Sequence, residues 1–477
     1  MTRRLPDPVV LFVVALALCA AASLLLAGPH PDTLDPRTGL PIVVVPLLRP
    51  DALATGLARV VPAFAGFPPL GVVIVTMLGV GVAERSGLVG AMLGAIVRAT
   101  PSAWLTPAVI LAGILSHVAA DAGFVVVLPL AAIAFHAAGR HPMAGIAAAF
   151  AGVSGGFGAN LVPGPIDPLL AGLTQQAARL VDPTYVLGPL GNLAFTASSA
   201  VVLIVVGWVI TDRFVTPRLA HLVVVAPEGD SVTSHFPTRG VAVLVLIAAL
   251  LLAAALPATS PLRDASHSLL GREAPLMAGL VPLLSGAAAL AGIVHGFSTR
   301  LFRDHRDVVA AMEGAVRTLS GYVVLAFFAA IFLDAFDRSS LGIWLAVRGG
   351  DLLSGAGVGG FPALLGVIGF VALLNLTIAS ASAKWALLAP ILVPVGIRLG
   401  LQPDLVQAAF RVGDGITNIV TPLMPYFPLV LATCRRWSPD ADAGTLIGTM
   451  IPYSVGFGLA WTVVLWGFVA LGLPLGW

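Results

Sequence analysis

Five ionisable side chains sit in stretches of this sequence that are otherwise apolar: Asp121, Asp167, Lys384, Arg411 and Asp414. A charge at bilayer depth costs about 2.5 kcal/mol or more, so such groups face a cavity, a partner or a permeation pathway. Lys384 is the only lysine beside 24 arginines, and it precedes Trp385 in a run of small residues. A cation next to an indole suits a ligand that is both aromatic and a carboxylate. A lysine snorkelling from a span end is the plainer alternative. Asn160 and Asn418 offer side-chain carbonyls beside interrupted backbone, apt for a hard cation or a carboxylate. Asp167 follows Asn160 by seven residues and could border the same cavity and carry a coupling proton, or simply cap a helix. Arg411 and Asp414, three apart, could pair on one helical face or clamp a substrate. His117 and Asp121, four apart, have the spacing of a metal pair, but neither a third ligand motif nor a His-Glu-x-x-His pattern accompanies them. No metal and no cofactor are expected.

The elements that must position these residues are membrane helices. Of the 477 residues 58% are hydrophobic and 10% charged, against about a quarter charged in a soluble domain. A hydrocarbon core about 30 Å thick takes roughly 20 apolar residues per helix, and such stretches recur from Val9 to Leu473. A formal charge of +2 does not point to nucleic acid. Cys19 and Cys434 both lie in or beside apolar runs, which argues against a disulfide framework. No Gly-Lys-Ser phosphate loop occurs, so the chain does not carry an ATP motor, and an ion gradient must supply the energy. Arg3 and Arg4 before Val9 to Ala27 read as the start of a first transmembrane helix with a cytoplasmic N-terminus, the apolar run being long for a signal peptide.

After that helix, Pro29 to Pro69 reads as an external loop with an interfacial helix around Leu53 to Phe64. Further on the apolar stretches are broken at places that match between two halves. Glu84-Arg85-Ser86-Gly87-Leu88 corresponds to Asp337-Arg338-Ser339-Ser340-Leu341 at an offset of 253. Asp121-Ala122-Gly123-Phe124 corresponds to Ser382-Ala383-Lys384-Trp385 at 261, each aromatic five residues before a proline. Gly158-Ala159-Asn160 corresponds to Ile416-Thr417-Asn418 at 258, with prolines close behind. Collinear breaks in two repeats are the mark of secondary transporters, whose freed backbone lines the ligand site. The division expected is 1–66 for the first helix and loop, 67–211 for repeat 1 with a re-entrant hairpin, 212–317 for connecting helices, and 318–477 for repeat 2 with its hairpin. The connecting helices permit an inverted relation between the repeats.

These runs resemble the p-aminobenzoyl-glutamate transporter family, AbgT, over nearly the whole chain. The resemblance rests on Phe67 to Val73 with Met77 to Gly87, Ser116 to Gly123, Gly158 to Leu161, Ser382 to Trp385 and Arg411 to Asp414. It implies an all-α polytopic membrane protein with about nine transmembrane helices, two re-entrant helical hairpins and two inverted-type repeats, assembled as a homodimer around a water-filled basin. The fold would be similar to that of divalent-anion/sodium symporters. Members of the family are associated with p-aminobenzoyl-glutamate uptake, and some with export of p-aminobenzoate and sulfonamide antimetabolites. The substrate-pathway positions implied are Asp167, Ser382, Trp385, Pro403, Arg411, Asp414 and Pro422.

Taken together, the reading is a secondary transporter of aromatic carboxylates in a bacterial inner membrane, coupled to protons with sodium as the second choice, and not an enzyme. Trp385 would stack on the aryl ring, Arg411 and Lys384 would meet carboxylates, and Asp167 would be the coupling acid. Asn160 and Asn418, with Asp121, would order hairpin tips and a cation site. The rivals are a sodium-coupled dicarboxylate carrier, an intramembrane enzyme using His117, Asp121 or Asp167, and a channel.

Overall fold

In lipid no water satisfies a free backbone, so apolar segments of this length have the α-helix as their outcome. The computed structural model describes residues 8–35, 38–118, 123–225, 237–265, 267–269, 274–378 and 380–477. Helix α1 (Pro8–Leu25) is followed by an antiparallel ribbon, β1 (Gly28–Leu34) with β2 (Pro41–Val44), and by α2 (Pro50–Ala65), which buries none of its residues. The ribbon departs from the helical expectation: prolines and short apolar runs, read as a loop, pair their extended backbone instead.

The first half continues with α3 (Pro68–Arg85), α4 (Leu88–Arg98), α5 (Leu105–Leu115), α6 (Leu128–Ala137), α7 (Pro142–Phe150), α8 (Ile166–Ala178) and α9 (Leu193–Ile210). Between the halves lie α10 (Thr216–Leu219), α11 (Thr238–Ala255), α12 (Pro275–Ala278), α13 (Leu280–Ser298) and the amphipathic α14 (His305–Thr318). The second half runs α15 (Ser320–Arg338), α16 (Leu341–Gly355), α17 (Gly360–Asn375), α18 (Ala381–Arg398), α19 (Pro403–Asn418), α20 (Phe427–Trp437) and α21 (Ala443–Ala470). In order, α3 to α9 recur as α15 to α21.

The first matched motif shows how sequence repetition becomes structural repetition. Ser86 closes α3 by giving its hydroxyl to the Ala83 carbonyl at 2.8 Å, and it accepts the N–H of Leu88 at 3.3 Å. Ser339 closes α15 in the same way, with Phe336 at 2.9 Å and Leu341 at 3.3 Å. The next residue is left-handed in both turns, Gly87 at φ 78° and Ser340 at φ 61°. A serine cap followed by a left-handed residue stops one helix and starts the next.

Two helix pairs are sharply bent: α4 with the Ser102–Val118 segment by 116°, and α16 with α17 by 115°. Among the described residues, seven helices are long and apolar enough to cross a membrane, or up to nine if each bent pair counts as one span. The bends fall at residues 99–101 and 356–359, where Pro101, Gly357 and Gly359 break the helix. Asn160 and Asn418, expected at hairpin tips, lie at neither bend. Asn160 lies instead in the break between α7 and α8 and Asn418 at the end of α19, each with prolines close behind.

Apolar solvent gives helices no hydrophobic reason to associate, so close approach decides what packs. Along α3 and α13, a Cβ on Gly79 would meet the Ser285 carbonyl oxygen at 1.9 Å, and the Ser285 hydroxyl donates to the Val75 carbonyl at 2.6 Å. The arms of the repeats cross over: α8 of the first half packs on α18 of the second, and α20 of the second packs on α6 and α7 of the first. Helices α9 and α21 run together, with Tyr453, Phe457, Trp461 and Leu465 of α21 fully buried at helical spacing.

Candidate functional site

Helix α7 widens into a π-helical turn, Ala151–Gly155, and then unwinds through a left-handed Gly158 (φ 94°) and the prolines Pro163 and Pro165. Such local widening frees backbone groups and is frequent at functional sites. The unwound stretch carries Asn160, which bridges two neighbours. Its Oδ1 lies 3.0 Å from Nδ1 of His117, in the 3-10 turn that extends α5, and its Nδ2 donates to Oδ2 of Asp167 at 3.0 Å. The other ring nitrogen of His117 lies 2.8 Å from the Val153 carbonyl. Asp167 stands in the first turn of α8, where the helix dipole favours a carboxylate, and also accepts the Gly164 N–H at 2.7 Å. Its Oδ1 meets Nη2 of Arg411 at 2.8 Å, so the network passes from the first half into α19 of the second.

The second half builds a parallel arrangement from different residues. Asn375, the last residue of α17, donates through Nδ2 to Oδ1 of Asn418 at 2.9 Å and lies within 2.9 Å of the Thr417 hydroxyl and 2.8 Å of the Asp414 carbonyl. Its own Oδ1 accepts from the Lys384 ammonium, which also pairs with the Asp414 carboxylate. Lys384 has no exposed surface, and Asp414 is 2% exposed.

Between the halves, Nε1 of Trp385 donates to the Thr174 hydroxyl at 2.9 Å, and that hydroxyl donates to Oε1 of Gln407 at 2.6 Å. The indole packs on Phe410 with ring centroids 4.5 Å apart. Arg411 is 2% exposed, yet its Nε and Nη1 have no partner. It lines a narrow cleft with Pro163, Asp167, Asn192, Thr196 and Gln407, with room of about 10 Å³, close to a single water.

The family model described as the AbgT putative transporter family matches residues 1–477. This chain belongs to the AbgT family. It is accordingly a membrane transporter and not an enzyme. It is 34% identical over 485 residues to the p-aminobenzoyl-glutamate transport protein of Escherichia coli (strain K12), covering 99% of this chain and 94% of that one. Among solved structures, the YdaH transporter of Alcanivorax borkumensis, described as having an unusual topology, superposes with a TM-score of 0.94 at 42% identity, covering 99% of this chain and 100% of the other. MtrF of Neisseria gonorrhoeae, described as illuminating a class of antimetabolite efflux pumps, gives 0.89 at 40% identity, covering 99% and 97%.

Within this AbgT fold the residues singled out from sequence separate into groups. Asp167, Arg411 and Asn160 join in one network, and Lys384, Asp414 and Asn418 in the other. Arg411 and Asp414 do not pair with each other; α8 and α18 bring each of them an opposite charge from another helix. Lys384 does not wait on a substrate carboxylate, because Asp414 and Asn375 occupy its ammonium. Trp385 turns its ring to Phe410 rather than to an open cavity, since burying an indole requires a partner for its N–H and Thr174 supplies one. Ser382 is half-buried with its hydroxyl 3.2 Å from that of Ser380, Pro403 opens α19 and is buried, and Pro422 is exposed in the break after α19. Asp121 lies outside the described residues. Asn375, Thr174 and Gln407 were not singled out, and His117 was read only as a metal ligand or as a catalytic group of the rival enzyme. The signal for the first was available: His117 and Asn375 each precede their asparagine by the same 43 residues.

Proposed function

We propose that this AbgT transporter moves p-aminobenzoyl-glutamate and related aromatic carboxylates such as p-aminobenzoate across a bacterial inner membrane, coupled to the proton gradient and working as a homodimer. Sulfonamide antimetabolites, which share the p-aminophenyl ring of p-aminobenzoate and carry a sulfonamide group in place of its carboxylate, leave by the same route. The observation that carries the reading is Arg411. Buried polar groups are almost always bonded, yet this guanidinium spends Nη2 on Asp167 and keeps Nε and Nη1 for a ligand. A carboxylate entering the cleft satisfies them.

Proton coupling is favoured over sodium by the amide oxygens. Oδ1 of Asn375 accepts from Lys384, Oδ1 of Asn418 accepts from Asn375, and Oδ1 of Asn160 faces His117, so each oxygen has one lone pair engaged and at most one left for a hard cation, which gathers several such ligands.

The test is flux in proteoliposomes loaded with unlabelled substrate and supplied with labelled p-aminobenzoyl-glutamate, with pH and sodium gradients imposed separately. Accumulation driven by a pH gradient without sodium, and competition by sulfonamide, are the expected results. Accumulation that needs sodium and ignores pH overturns the coupling, and the lack of any aromatic carboxylate flux overturns the substrate class. Cross-linking in native membranes reads the dimer.

A further inference from the structure

The hydrogen bonds around His117 do not close without a labile proton. Val153 presents a carbonyl to Nε2, and Asn160 lies between Nδ1 and the Asp167 carboxylate. A neutral imidazole has one N–H. With Asn160 giving its N–H to the carboxylate and its carbonyl to the ring, both ring nitrogens must donate, and His117 is imidazolium. With the amide turned over, the ring can be neutral, but the Asn160 carbonyl then faces Oδ2 of Asp167, which bonds only as a protonated acid. Both closed patterns hold one proton beyond neutral histidine and ionised aspartate. Without it, two acceptors stand face to face at 3.0 Å, whichever way the amide turns.

We propose that His117, Asn160 and Asp167 together form the site that takes up and releases the coupling proton, with the Asn160 amide turning to match the group that holds it. On release an N–H or O–H bond of the site breaks and the proton passes to water on the open side. One bond at Asn160 is then lost, which ties proton occupancy to the geometry of the unwound segment beside Arg411.

Among the described residues, which do not include Asp121, the charged groups facing His117 are Asp167 of α8 and, through it, Arg411 of α19, and α5, α6 and α7 bring no aspartate, glutamate, lysine or arginine, their one titratable side chain being His136 of α6, against Trp437. The second half has no such site. Asn375 stands where His117 would be, and Lys384 fills its carbonyl. A single proton site in one repeat therefore breaks the symmetry of the scaffold.

This inference rests on the proton-coupled reading above, and the experiment separates the two. Wild type and His117→Asn, which copies the second repeat, are reconstituted with a pH-sensitive dye inside the vesicles. Thermal unfolding in detergent reports folding. Expected are a thermal unfolding midpoint in detergent close to that of wild type and loss of the roughly tenfold accumulation that one proton per substrate sustains against one pH unit, together with loss of substrate-dependent proton movement. Proton movement in the wild type that persists unchanged in His117→Asn overturns this inference alone. A wild type that moves no protons with substrate overturns both. Should His117→Asn unfold well below wild type, His117→Gln carries the same test with a longer amide.

Discussion

His117 and Asn375 occupy one position of the repeated fold: each ends the second arm of a bent helix pair, and each bonds an asparagine 43 residues further on, Asn160 at 3.0 Å and Asn418 at 2.9 Å. The pair shows what the repeat preserves and what it varies. The bridge from hairpin arm to broken helix is kept, while the group that makes it changes from an imidazole to an amide.

Arg411→Ala removes the partner of a buried carboxylate as well as two free donors. It should abolish uptake and cost about 3–5 kcal/mol through the uncompensated charge of Asp167. Arg411→Lys restores part of the stability but little transport, since a lysine lacks the guanidinium's donor geometry. Arg411→Leu combined with Asp167→Asn should regain most of the stability while staying inactive. Thermal unfolding in detergent beside vesicle uptake checks all three, and uptake by Arg411→Ala would remove the residue from the pathway.

Lys384 is expected to behave as structure. Lys384→Met strands Asp414 and should destabilise by about 3–5 kcal/mol, and adding Asp414→Asn should return most of that loss. If Lys384→Met keeps wild-type thermal stability and loses only substrate affinity, the ammonium belongs to the substrate instead.

Trp385 separates packing from hydrogen bonding. Trp385→Phe gives up the bond to Thr174, worth about 1 kcal/mol, while Trp385→Ala opens a cavity worth about 3–5 kcal/mol. Thr174→Val also strands the buried Oε1 of Gln407 and so costs something in either background, but a double-mutant cycle with Trp385→Phe, followed by thermal unfolding, should return a coupling of about 1 kcal/mol. Additive losses would mean that the two residues act independently.

How much of this was legible in the sequence depended on the physics of each feature. Apolar length marks a helix in lipid, so α9, α11, α13 and α21 could be read directly, and Gly158, Pro163 and Pro165 marked the unwound stretch because they cannot continue a helix. The bends at 99–101 and 356–359 carried a signal of the same kind in Pro101, Gly357 and Gly359, but such residues also end ordinary spans and do not by themselves set the angle between two helices. The partners of Lys384 and Arg411 were hidden for another reason. Asp414 lies 30 residues from Lys384 and meets it through the packing of α18 on α19, while Asp167 lies 244 from Arg411 and only the crossing of the halves brings those two together.

Gly415 tests that crossing. A Cβ there would lie 2.7 Å from Trp461 and 3.0 Å from the carbonyls of Gly155 and Phe157, in the unwound segment of the other half. Gly415→Ala should shift α19 off that segment and lower transport far more than Gly448→Ala, where nothing lies within 4 Å. Equal uptake by the two variants would show that the contact does not matter to the cycle.

The exchanged arms have a consequence for how the protein is made. Translation delivers α8 before α18 and α19 exist, so during synthesis Asp167 enters the membrane region with no Arg411 to meet, and α6 and α7 have no α20 to cover them. The first half is therefore held open until most of the second half has been made, and the ion pair that joins Asp167 to Arg411 forms late in assembly rather than early.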